Sequence, residues 1–503
     1  MGDFLVERLE KRRFLLLLVF ISVSLLLLTA RVVYINYSST SPASVGYSEK
    51  NSRFGSGRGQ IYDCNLKKLT ETTLTGEEIE HMGKRIGRVN YYKRYSDSQP
   101  LCHIIGYLSN DNLNGAAGIE LAYNDFLLSA NNYVTFSYNT DAQGRLLKGG
   151  VNSADYSSYN TKQGVQLTVD RDIQEIAERS AASLKTGAVT VSEVSTGKIK
   201  AIASFPTFDC NNLEASLKDK NEPFLNRALE NYAVGSVFKV LICAAALESG
   251  ISENYSHICK GYEYCGDLRF NCHKEEGHGK MDMRSALANS CNPYFISLAG
   301  EVGYEKILSL AKEFGIDKEI VLTVANISPA GNLPSERVLS SPAGLANFSF
   351  GQGELLASPL KMSCVYQTIA NGGILCPPSI VEGIVDREGK LTSEQSKSAP
   401  KRVLSENTSA KIMEFLSYTV TDGTGKSAQP YNVTAAGKTA TAQTGIYFEN
   451  SAEKLNSWFI GVIPASNPKY VISVMKENGK SGSLDCAPVF KKISEEIVKE
   501  GKL

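Results

Sequence analysis

Residues 235–247 read Gly-Ser-Val-Phe-Lys-Val-Leu-Ile-Cys-Ala-Ala-Ala-Leu. From Val237 to Leu247 the stretch is apolar on all sides, the pattern of a buried helix. At its start, Ser236 and Lys239 stand one turn apart on one face. A serine is a weak nucleophile until a base comes within hydrogen-bond reach. A lysine at the head of a buried helix loses solvent, and its proton affinity falls. Backbone N–H groups at the helix N-terminus also lie where an oxyanion would develop. Alone, the Ser-x-x-Lys spacing is weak evidence: a long chain supplies several by chance, and such a serine is also an ordinary N-cap.

The flanking sequence supplies a domain for that helix. Val165–Val169 reads as a strand leading into a helix at Ile173–Leu184. Ala188–Glu193 and Lys198–Ser204 alternate around a Thr196-Gly197 turn, a hairpin. Far downstream, Trp458–Ile463 and Tyr470–Met475 are two strands separated by Pro464–Lys469, and Val489–Lys499 is an amphipathic helix. Strands at both ends with helices between them predict an α+β fold with one sheet assembled from distant segments. Upstream, residues from Arg58 to Tyr159 carry short mixed patterns and many turn signals, a modest α+β module. Ser38–Gly57 reads as an exposed linker, and Gly144, Gly149, Gly150 and Ser153–Ser158 mark a second loosening.

The N-terminus stands apart. Phe14–Ala30 carries no charge, and with Val32–Tyr34 added it is just long enough for a membrane-spanning helix at ~1.5 Å per residue. Lys11, Arg12 and Arg13 precede it, so the positive-inside rule keeps the N-terminus in the cytoplasm and places everything after Tyr34 outside. A cleaved signal peptide ending at Leu28-Thr29-Ala30 is the alternative; the length of the apolar run favours an uncleaved anchor. The chain of 503 residues is too long for one ordinary core. Its 53 basic and 53 acidic residues cancel, which gives no basic field for nucleic acid.

Three further groups of residues bear on chemistry. Ser290-Cys291-Asn292 reads alone as a polar turn capping a helix; a thiol nucleophile at Cys291 is rejected because no histidine is placed as its base. Gly437-Lys438-Thr439-Ala440-Thr441 reads alone as an exposed strand edge. Gly425-Lys426-Ser427 looks like part of a phosphate loop, but Val420 stands where that loop requires glycine. The odd count of 11 cysteines leaves at least one thiol unpaired within the chain. Cys259, Cys265 and Cys272, followed by His273 and His278, are zinc-ligand types whose spacings fit no compact knuckle. A disulfide from Cys259 to Cys265 or Cys272 is the expectation in an oxidising compartment, with unpaired thiols the alternative.

Order and spacing turn these weak signals into one. Ser-x-x-Lys, then Ser-x-Asn about fifty residues on, then a Lys-Thr element near the C-terminal strands is the three-part signature of the penicillin-recognising serine enzymes. The sequence resembles a class B penicillin-binding protein over most of the chain beyond the apolar segment. Arg58-Gly59-Gln60-Ile61-Tyr62-Asp63 resembles the segment after the anchor. Gly115–Glu120, with Tyr123 and Leu127, resembles the Gly-Leu-Glu motif of the non-catalytic pedestal. Leu167–Asp170 with Gln174, Gly351-Gln352-Gly353, Ser358-Pro359-Leu360, Asn371-Gly372-Gly373, Gly423-Thr424-Gly425 and Trp458–Gly461 are similar to stretches of the transpeptidase domain. With no glycosyltransferase module, class B is favoured over class A. Two positions depart from the pattern. Val234-Gly235 replaces Pro-Gly before the serine, and Ala440 replaces the glycine after Lys-Thr, where a methyl group is expected to narrow the acyl pocket or tilt the strand.

The resemblance implies a cytoplasmic tail (1–13), a single-pass transmembrane anchor (14–34), a linker (35–57), a pedestal (58–159) and an extracytoplasmic transpeptidase domain (160–503) with a central antiparallel sheet flanked by helices. It implies peptidoglycan D,D-transpeptidation through a serine acyl-enzyme and penicillin binding, with no metal or organic cofactor. Ser236 attacks the penultimate D-Ala carbonyl of a stem peptide and Lys239 takes its proton. Backbone N–H groups of Ser236 and Thr441 hold the oxyanion. Ser290 relays a proton, Asn292 orients Lys239 and the substrate amide, and Lys438 and Thr439 bind the terminal carboxylate. Implied partners are stem peptides, β-lactams, the membrane and a SEDS-type glycan polymerase. The competing readings are a D,D-carboxypeptidase or β-lactamase, a β-lactam sensor, and a scaffold with a site decayed at Ala440.

Overall fold

A computed structural model of the chain describes residues 3–38, 48–71, 73–96, 99–109, 114–394 and 399–503. The described chain divides into two compact units. The first comprises Met1–Phe54, Gly76–Asn90 and Val134–Ser157. It contains helix α1 (Asp3–Ser38), within which Lys11–Tyr34 is long and apolar enough to cross a membrane. Those 24 residues make about 36 Å of helix against a hydrocarbon core of ~30 Å. Its apolar side chains from Phe14 to Tyr34 are uncovered by protein. Ser22 and Thr29 return their hydroxyls to the carbonyls of Leu18 and Leu25, so neither adds an unsatisfied polar group to that surface.

Residues 39–47 of the expected linker lie outside the described residues, and Ser48–Gly57 form a strand. The stretch with Gly149, Gly150 and Ser153 is also a strand, Leu146–Asp155, where a loosening was expected. Its ladder to Asn132–Thr140 holds it, with Tyr138 opposite Val151 and Phe136 opposite Ala154. The backbone partner outweighs the local turn composition.

The second unit comprises Gly55–Thr75, Tyr91–Tyr133 and Ser158–Leu503. Its centre is a five-stranded antiparallel sheet built from β1 (Gly187–Glu193), β2 (Ile199–Phe205), β3 (Ala436–Tyr447), β4 (Glu453–Ile463) and β5 (Tyr470–Lys476), in the order β3-β4-β5-β1-β2. The β1–β2 hairpin pairs Val189 with Ala203 around Gly197, whose φ of +72° suits the tight turn. Alternation along β4 sends Phe459 and Ile463 to one face and Trp458, Ile460 and Val462 to the other. The first face is covered by α2 (Arg171–Ala181) and the C-terminal helix (Ala487–Lys499). The second packs against a larger cluster holding α3 (Lys239–Glu248) and α4 (Asn292–Val302). Asp170 caps α2 by accepting from the amides of Asp172 and Ile173.

The Arg58–Asp63 stretch is woven into this unit: Gln60–Tyr62 pairs in parallel with Gly164–Leu167. Beside it lies a closed charge cluster. Glu120 is fully buried and accepts from Arg58 Nε at 2.8 Å and Arg94 Nε at 2.7 Å. Arg94 also donates to the Gly59 carbonyl and pairs with buried Glu71 at 3.5 Å. Burial opposes ionisation of Glu120, but Arg94 and Arg58 outweigh it and hold the carboxyl below its ordinary range.

Candidate active site

Residues Gly235–Phe238 form a single 3₁₀ turn, and α3 begins at Lys239. The nucleophile candidate therefore sits in the tighter turn ahead of the α-helix. Gly235 has a φ of +61°, and its N–H donates to the Gly351 carbonyl at 2.8 Å. A Cβ on Gly235 would come within 3.1 Å of the Ala442 methyl, so backbone packs nearly onto β3 here. The glycine thus serves both the left-handed conformation and the close approach. Ser236 is left half-buried at the rim of a cleft.

Behind the serine, Lys239 is fully buried. Its ammonium donates to the Ser290 carbonyl at 2.8 Å, to Asn292 Oδ1 at 2.7 Å and to Ser290 Oγ at 3.3 Å. The turn that presents these acceptors is held by Ser290 at φ +54° and by fully buried Cys291, the N-cap position of α4. Asn292 returns a bond from Nδ2 to the Asn271 carbonyl at 3.3 Å. Among the described residues Lys239 has no carboxylate partner. Burial pushes its pKa down to about 8.

The third element is β3, where Ala440 faces Trp458 and Lys438 faces Ile460 across the ladder. Lys438 is fully buried and donates to the Thr439 carbonyl at 2.9 Å. Burial, reinforced by the like charge of Lys239, drives its pKa well below the ordinary lysine value. Thr439 Oγ1 lies 2.8 Å from Thr424 Oγ1, in the Gly423-Thr424-Gly425 turn. Ala440 is nearly fully buried and belongs to the apolar cluster that includes Trp458, while Thr441 is exposed.

These pieces converge on two adjoining hollows that share Ser236, Asn292 and Thr441. One, of about 430 Å³, also has Phe350, Gln352 and Gln443 on its wall. The other, of about 260 Å³, adds Ser290, Thr439 and Ala440. Lys239 and Lys438 line neither hollow. His273, Phe350 and Ser483 also line the cleft, and the sequence assigned none of the three to it, although Phe350 directly precedes Gly351-Gln352-Gly353. A larger hollow of about 600 Å³ lies elsewhere, near Lys361 and Cys364. It gathers no nucleophile–base pair, and burial pushes the Cys364 thiol up to about 12.

The expected disulfide is absent: all eleven cysteines, each among the described residues, are unbridged. Cys265 closes the Tyr262–Cys265/Leu268–Asn271 ribbon opposite Leu268. Cys259 and Cys272 instead meet His278 and Cys291, all four within 4.8 Å of one another by their ligand atoms. His278 is thus a neighbour of Cys291 that sequence spacing did not show, but Cys291 is fully buried and lines neither hollow.

Residues 187–495 match the family model for the penicillin binding protein transpeptidase domain. The chain belongs to this family. Stage V sporulation protein D of Bacillus subtilis is 31% identical over 81% of this chain and 64% of its own length. The peptidoglycan D,D-transpeptidase PbpA of Mycolicibacterium smegmatis is 26% identical over 88% of this chain and 91% of its own. Among solved structures, the D,D-transpeptidase domain of a peptidoglycan glycosyltransferase from Eggerthella lenta superposes with a TM-score of 0.70 at 25% identity, covering 89% of this chain and 99% of that one. The matched span of the transpeptidase domain holds all five strands of the central sheet, Ser236, Lys239, the Ser290–Asn292 turn and Lys438–Thr441.

Proposed function

We propose that this protein is a peptidoglycan D,D-transpeptidase acting through an acyl-enzyme on Ser236. The observation that carries the reading is Lys239, buried without a carboxylate and aimed by two oxygens of the Ser290–Asn292 turn. Such an amine is neutral in about a tenth of molecules at pH 7, far more than an ordinary lysine, and can take the serine proton. The Ser236 oxygen then bonds to the penultimate D-Ala carbonyl carbon, with the amides of Ser236 and Thr441 facing the oxyanion. The proton passes through Ser290 to the departing D-Ala nitrogen as the peptide bond breaks, and an amine of a second stem peptide replaces the serine oxygen. Asn292 keeps Lys239 in line and meets the substrate amide. Thr439 and Thr441 receive the terminal carboxylate, with Lys438 behind them.

Helix α1 supports a single-pass anchor with Lys11, Arg12 and Arg13 on the cytoplasmic side and the transpeptidase domain outside. Its uncovered apolar surface is where a SEDS-type polymerase would dock.

The full chain in detergent, treated with a fluorescent penicillin, tests the reading. Label on one peptide, mapped by mass spectrometry to Ser236 and lost in Ser236→Ala, is the expected outcome. Because Ala440 lines the smaller hollow, Ala440→Gly is expected to label faster. Label elsewhere, or none in either protein while the chain stays folded, would overturn the acyl-enzyme and favour the scaffold.

A further inference from the structure

Between His257 and Met281 the chain makes two short ribbons, His257–Cys259 with Gly279–Met281 and Tyr262–Cys265 with Leu268–Asn271. The only buried residues in that span are Cys259, Gly261, Cys272 and Gly277. Of its larger apolar side chains, Ile258, Tyr264 and Leu268 point outward at 60%, 59% and 56% exposure, and Tyr262, Phe270 and Met281 are only half-buried. A segment without an apolar centre needs another source of cohesion. What it buries is two thiols, set against His278 and against Cys291 from the start of α4.

The spacing of those groups is informative. Cys272 Sγ and Cys259 Sγ lie 3.5 Å and 3.6 Å from the same nitrogen, His278 Nδ1. One ring nitrogen has one in-plane lone pair and cannot accept well from two thiols at once. A metal at the centre of a tetrahedron removes the conflict. With metal–sulfur bonds of about 2.3 Å and metal–nitrogen bonds of about 2.0–2.1 Å, the sulfur-to-nitrogen edge is about 3.5–3.6 Å. The loop is also closed backbone on backbone: a Cβ on Gly277, at φ +82°, would fall 2.3 Å from the Cys259 carbonyl.

We propose that Cys259, Cys272, His278 and Cys291 bind one zinc ion in a closed structural site that fastens the His257–Met281 ribbons to the turn carrying Ser290 and Asn292. Three thiolates and one imidazole in a tetrahedron suit zinc and leave no open position for substrate. Binding replaces the thiol protons, which pass to solvent, and no electron is transferred. The site has a direct mechanical consequence. Cys291 is flanked by the two residues that hold Lys239, and the ribbon supplies the Asn271 carbonyl that Asn292 bonds. The ion would fix both sides of that turn. The inference rests on the cluster itself and stands apart from the transpeptidase reading.

The test is metal analysis of the full chain, purified in detergent under reducing conditions with zinc supplied. One zinc per chain is expected. X-ray absorption should give three sulfur neighbours at about 2.3 Å and one nitrogen at about 2.0–2.1 Å. Cys259→Ser, Cys272→Ser and Cys291→Ser should each weaken retention against a chelator by at least about tenfold, because loss of even an outer-shell partner costs ~10–100-fold. Cys265→Ser should retain the ion. A zinc-free chain, a shell dominated by oxygen, zinc retained in all three ligand variants, or a disulfide within the cluster after alkylation would each overturn the proposal. The absorption shell is read on the unaltered chain, so poor folding of a variant does not blunt the test.

Discussion

Two of the places where the second unit buries charge treat it oppositely. Around Glu120 every charge has its counterpart: two arginines share one carboxylate, Glu71 pairs with Arg94, and the Gly59 carbonyl and Asn124 Oδ1 accept further donors. Under Ser236, two lysines are buried with neutral oxygens only. The first arrangement balances its charges, two arginines against two carboxylates. The second keeps its amines short of counter-charge, so burial and mutual repulsion favour releasing a proton. Pairing, not burial, separates a fastening from a reactive group.

Lys239→Met would break the comparison most severely. It removes the proton acceptor, and acylation by penicillin should fall by ~10²–10⁴-fold. The unfolding midpoint should hold or rise, because a solvent-starved cation is lost and the freed oxygens of Ser290 and Asn292 border the cleft. A large loss of stability would mean that the lysine is structural after all. Glu120→Gln should do the reverse. Two guanidiniums lose their shared counter-charge, at a cost of about 3–5 kcal/mol. Urea unfolding followed by Trp458, the single and fully buried tryptophan, reads that loss. The protein that remains folded should acylate at the unaltered rate.

The mildest of the three is a pH profile. Lys239 is depressed from 10.5 to about 8, so its neutral fraction, and with it the acylation rate, should rise with pH and reach half its maximum near 8. The groups facing it are Lys438 and the thiols of Cys243, Cys272 and Cys291. A rate that is flat across that range, or that falls, would assign the base elsewhere.

The sheet was legible because two of its strands alternate around Thr196-Gly197 and two apolar runs flank Pro464–Lys469. The serine and lysine were legible because a polar pair at the head of an otherwise apolar helix has few explanations. Lys438 is another matter. Its segment alone reads as an exposed edge and the family resemblance puts it at the site, whereas the strand turns it inward, toward Lys239. The cysteine cluster was illegible for a plainer reason: its fourth member, Cys291, sits at the start of α4, away from the ribbons, and linear spacing shows only three of the four. His273 and Phe350 reach the cleft through loop paths that no periodicity encodes.

The five-stranded sheet ends at β3, the strand that carries Lys438–Thr441. An unpaired strand edge is normally a hazard, an invitation to stray chains, and proteins blunt it with charges, prolines or irregularities. Here the edge borders the cleft, so blunting it along its whole length would block the site. The irregularity comes farther along, where the ladder slips between Gln443 and Tyr447. The regular edge that borders the cleft is thus limited to the span from Thr439 to Gln443, because Ala436, Gly437 and Lys438 are buried. A stray chain that reached this short span would be denied the length on which an aggregate could grow.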